Sequence, residues 1–106
     1  MVAAVAAPTS PVNIGSLIAR SPEIKGGRPR IHGSGVTVQR IAAWYELGLS
    51  PEEIARKIGH ISLGEIHAAL AYYHANPEEI EGLLAAENAD YERLAAEFGP
   101  PDSVKP

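Results

Sequence analysis

The stretch VTVQRIAAWYELGLSPEEIARKIGHISLGEIHAALAYYHANPEE (Val36–Glu79) decides the fold, because it carries one helix-start signal after another. Thr37 is placed to cap a helix running to Leu47, in which Val38, Ile41, Ala42 and Tyr45 recur at helical spacing and Gly48 supplies the stop. Ser50-Pro51-Glu52-Glu53 reads as a capping box with proline at the first helical position. The short helix it opens holds Ile54 and Ile58 and ends at Gly59. Ser62-Leu63-Gly64-Glu65 is a second capping box, whose helix presents Leu63, Ile66, Leu70 and Tyr73 on one face with Ala69 beside them. Asn76-Pro77-Glu78-Glu79 repeats the device ahead of a longer helix through Ile80, Leu83, Leu84, Tyr91, Leu94 and Phe98.

Helices of about 11, 8 and 12 residues joined by short turns have the proportions of a tri-helical helix-turn-helix, although bundles that never touch DNA use them too. Upstream, Leu17-Ile18-Ala19 and Arg30-Ile31-His32 are short runs separated by Ser21-Pro22 and Lys25-Gly26-Gly27-Arg28-Pro29, with a second joint at Gly33-Ser34-Gly35 before Val36-Thr37-Val38. That composition excludes a helix and fits a β-arm. The expected fold class is mainly α, a tri-helical bundle with a short N-terminal β-arm and an additional C-terminal helix. The expected map is a disordered tail at 1–13, a β-arm at 14–36, the tri-helical domain at 37–76, an amphipathic helix at 77–98 and a disordered tail at 99–106.

A chain of 106 residues supports one modest domain, which gains burial by dimerising or binding a partner. The absence of cysteine removes disulfides, thiolate nucleophiles and cysteine-based zinc sites. The opening MVAAVAAPTSPV lacks a basic start and is broken by Pro8 and Pro11, so it reads neither as a signal peptide nor as a membrane span. A cytoplasmic protein without membrane contact is the expectation.

The net charge of −4 is unevenly laid out. Residues 1–60 hold seven basic residues and four acids, a balance of +3; residues 61–106 hold two and nine, a balance of −7. Two surfaces with two partners would explain the split, and so would a solvated acidic helix face. Catalysis and cofactors find little support. His67 and His74 stand two helical turns apart, about 10 Å, with no acid between them on that stripe, and His32 and His60 join no cluster, so no metal site is expected. Gly26-Gly27-Arg28-Pro29 lacks the Lys-Ser/Thr of a phosphate loop. No enzyme is expected.

Arg20, Lys25, Arg28 and Arg30 make the arm basic, fitting either a strand that follows phosphates or enters a minor groove, or an edge hairpin kept soluble by charge. The third helix would expose Glu65, His67, Ala68, Ala71 and His74, none of them an Arg, Lys, Asn or Gln suited to reading base edges. DNA affinity would therefore rest on Arg20, Lys25, Arg28 and Arg30 together with Arg40, Arg56 and Lys57. Ile80, Leu84, Glu87, Tyr91, Leu94 and Phe98 form a heptad-like stripe on the last helix. Its first half suits the domain's own core, and Leu84, Tyr91, Leu94 and Phe98 are the candidate partner-binding residues.

Ile18-Ala19-Arg20-Ser21-Pro22-Glu23-Ile24, Gly26-Gly27-Arg28-Pro29-Arg30-Ile31, Gly33-Ser34 and Val36-Thr37-Val38, followed by Gly48 to Ile54 and His60 to Tyr73, resemble the family known as domain of unknown function 433. Its members typically read DPEI-x-GGKP-x-I-x-GTRI-x-V. The resemblance covers roughly residues 17–75 and departs at Gly33-Ser34-Gly35, where Gly35 replaces the family's arginine. It implies a homeodomain-like tri-helical fold whose β-arm pairs across a homodimer. It also implies the role of an antitoxin in a toxin-antitoxin system, binding operator DNA and a cognate PIN-like ribonuclease toxin. The acidic helix 77–98 lies beyond the shared region, where an antitoxin often places its toxin-wrapping segment. The expected function is a dimeric antitoxin-like repressor; the alternative is a dimeric protein-interaction or scaffold module without nucleic-acid binding.

Overall fold

Capping chemistry sets the helix boundaries. In the computed structural model, which describes residues 11–98, α1 spans Val38–Glu46, α2 Pro51–Ile58, α3 Leu63–Ala75 and α4 Pro77–Phe98. Thr37 Oγ1 accepts from Arg40 N at 3.2 Å. Both capping boxes close: Ser50 Oγ accepts from Glu53 N at 3.1 Å while Glu53 Oε1 accepts from Ser50 N at 2.7 Å. Ser62 and Glu65 do the same at 3.1 and 2.8 Å. The backbone N–H of Ser50, then its hydroxyl, hold the Glu53 carboxyl below its usual range. Gly59, at φ 90°, ends α2 in the left-handed conformation that glycine adopts without strain.

The fourth start differs from the expected capping box. The Asn76 side-chain amide donates backwards to the Tyr72 carbonyl at 3.1 Å, so Asn76 finishes α3. Glu79, expected to reach back to Asn76, instead meets Arg20 and Tyr72. A half-buried arginine is a stronger partner for a carboxylate than one backbone N–H.

The arm is a small antiparallel ladder. β1 (Ile18–Ala19) pairs with β2 (Arg30–Ile31) in the register Ile18 to Ile31 and Ala19 to Arg30. Ile31 N donates to Val36 O and Val38 N to Pro29 O, each at 2.9 Å, which ties the arm to the start of α1. A 3-10 turn at Ile14–Leu17 precedes β1, with the Asn13 side chain accepting from Gly15 N. Of the two expected tails, residues 1–10 and 99–106 lie outside the described residues.

Ile31, Val38, Ile41, Ile54, Ile66 and Ile80 are wholly buried, so arm and all four helices contribute to one core. Three positions differ from the helical-face expectation. Leu63, at the first turn of α3, is 41% exposed, and Tyr45, near the end of α1, is 36% exposed with its ring edge-on to His74. Helical spacing puts both on the right stripe, but their neighbours cover them only in part: Leu63 borders an open cleft with Ala55 and Arg56 of α2. Ala68, expected on the outer face of α3, is only 5% exposed because the arm packs on that side.

The core assignment has a direct check in urea unfolding. Ile66→Ala is expected to cost about 2–5 kcal/mol through lost burial and a cavity, whereas Leu63→Ala should cost under about 1 kcal/mol. Equal costs would contradict the packing of α3 described above.

Candidate functional site

The seven cations singled out in the sequence do not form one surface. Arg20, directly after β1, donates to the Tyr72 hydroxyl of α3 and pairs with Glu79 of α4. Its guanidinium lies 5.9 Å from the centre of the Tyr72 ring. Tyr72 in turn donates to Glu79 at 2.8 Å. The hydrogen bond to Tyr72, then that to Glu79, raises the Arg20 pKa further above its ordinary value. Burial, then the bond to Glu79, raises that of Tyr72. Arg20 thus fastens the arm to the helical body and is engaged internally.

Arg30, on β2, is 6% exposed and donates to Ser21 Oγ at 3.1 Å. Lys25 and Arg28 remain exposed on the arm's turn. Arg40 is exposed on α1 with its guanidinium 4.9 Å from the centre of the Trp44 ring. Arg56 and Lys57 occupy the last turn of α2, where cations also complement the helix dipole. With Leu49 and Glu53 they line a shallow cleft of about 310 Å³.

The expected base-reading face of α3 is partly occupied. An apolar groove of about 510 Å³ runs between arm and helix, lined among others by Ile14, Ile18, Ala68, Ala71, Tyr72 and Ala75. Small alanine side chains let the arm approach α3 closely. What α3 leaves exposed is Leu63, Gly64, His67, Ala71, His74 and Ala75.

The stripe on α4 divides in two. Tyr73 donates to Glu46 Oε2 at 2.9 Å, near the end of α1, and lies 3.5 Å from Glu81 Oε2 in the first half of α4. The Gln39 amide, near the start of α1, donates to Glu87 at 2.7 Å. α4 therefore runs antiparallel to α1 as far as Glu87 and continues past it. Ile80 is buried and Leu84 packs half-buried against the same core. Tyr91 and Leu94 are 53% and 47% exposed on the continuing part, about 16 Å of helix beyond Glu87. The Phe98 side chain lies outside the described residues.

Sequence reasoning missed Gln39, 1% exposed and joined to Glu87. It reads as a surface residue in any helical pattern, and only the return of α4 makes it interior. Among the described residues no group of three or more His, Cys, Asp or Glu is placed to hold a metal ion, and no helix is long and apolar enough to cross a membrane.

Three helices around one core, the second and third joined by a tight turn and preceded by a β-arm, define a tri-helical helix-turn-helix domain. Residues 18–73, just over half of the chain, match the family described as Protein of unknown function (DUF433), and the chain belongs to it. A crystal structure of a DUF433 member protein from Anabaena variabilis ATCC 29413 is similar, at 26% identity and a TM-score of 0.63. The match covers 68% of this chain and 71% of that one. No curated protein matches.

The Tyr73 contacts give a pH signature. Its bond to Glu46, then burial, push its pKa from 10.0 to about 12. A folded-state value above the unfolded one means a contribution complete below pH 10 and lost as pH rises toward 12. Tyr73→Phe should therefore flatten the alkaline fall in stability over that window, read by denaturant unfolding at stepped pH. An unchanged slope would assign the fall to other groups.

Proposed function

We propose that this protein is a dimeric antitoxin-like repressor, whose α4 beyond Glu87 engages a basic protein surface and whose exposed cations touch DNA backbone. The observation that carries this reading is the continuation of α4 away from its own core, with Tyr91 and Leu94 exposed among acids. Between Glu87 and Phe98 the helix holds Glu87, Asp90, Glu92 and Glu97 against Arg93 alone, which pairs with Asp90 at 3.2 Å. An apolar pair flanked by acids suits a groove with a basic rim. A PIN-like ribonuclease encoded beside this gene is the partner that family resemblance suggests. On the DNA side, Lys25, Arg28, Arg40, Arg56 and Lys57 are the exposed cations that form no ion pair among the described residues.

One observation favours the alternative of a protein-interaction module without nucleic-acid binding. The outward residues of α3 offer no bidentate reader of base edges, and the arm covers part of that face. Under the repressor reading, backbone contacts would set register and affinity, and specificity would come from DNA shape and deformability.

The decisive cut falls after Asn88, because removing all of α4 would also remove Ile80 from the core and Glu79 from the arm latch. The chain shortened at Asn88 should stay folded and lose neutralisation of a co-expressed PIN-like ribonuclease that the full chain neutralises; full neutralisation by the shortened chain, or no neutralisation by the full one, would refute the partner role of α4. For the DNA role, gel shifts with upstream DNA at two salt concentrations should weaken with salt and with Arg28→Ala/Arg56→Ala. No shift at low salt, even with the ribonuclease added, would leave the interaction module standing.

A further inference from the structure

Arg30 presents a charge problem that no other described residue solves. Its side chain is more than nine-tenths buried, its Nε–H has no acceptor, and its one hydrogen bond goes to the neutral hydroxyl of Ser21. Among the described residues the ion pairs are Arg20–Glu79 and Arg93–Asp90, so no carboxylate compensates it. A buried guanidinium with unused donors is costly unless an anion completes its shell.

Arg30 also lines a cleft of about 480 Å³ with Ile24, His32, Gly33, Ser34 and Gly35. A second cation, Lys25, lies against Gly35 at the margin of this lining. A Cβ built on Gly35 would lie 3.3 Å from Lys25 Cε and 3.9 Å from Lys25 Nζ. The Lys25 side chain therefore occupies the space that a larger residue 35 would enter. Lys25 is held there in an unfavourable conformation: at φ 54° it is the one non-glycine residue with positive φ among the described residues. Such strain, of order 1–3 kcal/mol, persists where surrounding structure imposes it, and it clusters at binding sites. The Ser34 hydroxyl donates to Ile31 O and accepts from Val36 N, which fixes the cleft's floor.

We propose that the cleft between Arg30 and Lys25 is a phosphate-binding site, with the Arg30 guanidinium as a buried anchor and the Lys25 ammonium as an outer clamp. Arg30 supplies a planar fork of donors suited to two phosphate oxygens, and Lys25 a mobile point charge. The phosphate is carried either on a nucleic-acid backbone or on a free small molecule. The backbone source rests on the DNA half of the proposed function, whereas the site itself does not.

The test uses the full chain and arginine Nε–Hε resonances in NMR, titrated with sodium phosphate against sodium chloride at constant ionic strength. Phosphate, and not chloride, should shift the Arg30 resonance in a saturable way. Arg30→Gln should weaken binding roughly tenfold or more. Because that variant risks the fold, Lys25→Gly serves as the second probe: glycine accepts the positive φ, so the arm keeps its shape while the ammonium is lost. It should also weaken phosphate binding roughly tenfold, with Arg93→Ala unchanged. An Arg30 resonance indifferent to phosphate, or Lys25→Gly binding phosphate as well as wild type, would overturn the proposal. A short DNA duplex added to the phosphate-loaded protein separates the sources. Competition at Arg30 supports the backbone phosphate; phosphate binding without competition supports the free molecule and counts against the DNA reading alone.

Discussion

The rest of the molecule depends on the burial of α3 around most of its circumference. One side presents Ile66, Ala69, Leu70 and Tyr73 to the other helices, and another presents Ala68 to the β-arm. Burying one large aliphatic side chain contributes about 1.5–3 kcal/mol, so the Ile66 and Leu70 face holds the bundle together. The alanine side contributes less energy but allows the arm's backbone to come close. A helix enclosed in this way has little outer face left for reading DNA, and what remains is Leu63, histidines, glycine and alanines.

That enclosure redistributes the polar residues. Besides its apolar packing on α3, the arm fastens Arg20 to Tyr72 and Glu79, which takes one cation out of the basic set and one acid out of the acidic set. Exposed ion pairs are worth at most about 1 kcal/mol. With Arg20 and Glu79 side chains at 48% and 31% exposure, the latch orients the arm more than it stabilises the fold. Arg30, two residues along the chain from solvent-exposed Arg28, is buried and ion-paired to no described acid. Cations that look alike in the sequence therefore hold three different roles: latch, buried donor and free surface charge.

The acidic helix is divided by the same geometry. As far as Glu87, α4 closes the core against α1, with Ile80 inside, Leu84 at its margin and Glu87 on the Gln39 amide. Beyond it, Tyr91 and Leu94 repeat the same spacing but stand 53% and 47% exposed. The heptad-like stripe reads as continuous in the sequence, and the length of α1 decides where core ends and free surface begins.

The sequence by itself determined the helices and the order of elements, because those signals are local. Ser50 with Glu53 and Ser62 with Glu65 act across one helical turn, and glycines such as Gly59 end helices through their own backbone freedom. The arm's two strands were legible from the glycine and proline punctuation between them. Tertiary structure alone decided which charges are free, since Arg20 meets its partners across 52 and 59 residues of chain. It also turned Asn76 back toward α3, covered Ala68, left Leu63 and Tyr45 open and buried Gln39. Helical periodicity states which residues share a face; whether a neighbour covers that face depends on where distant segments end, and no local pattern encodes that.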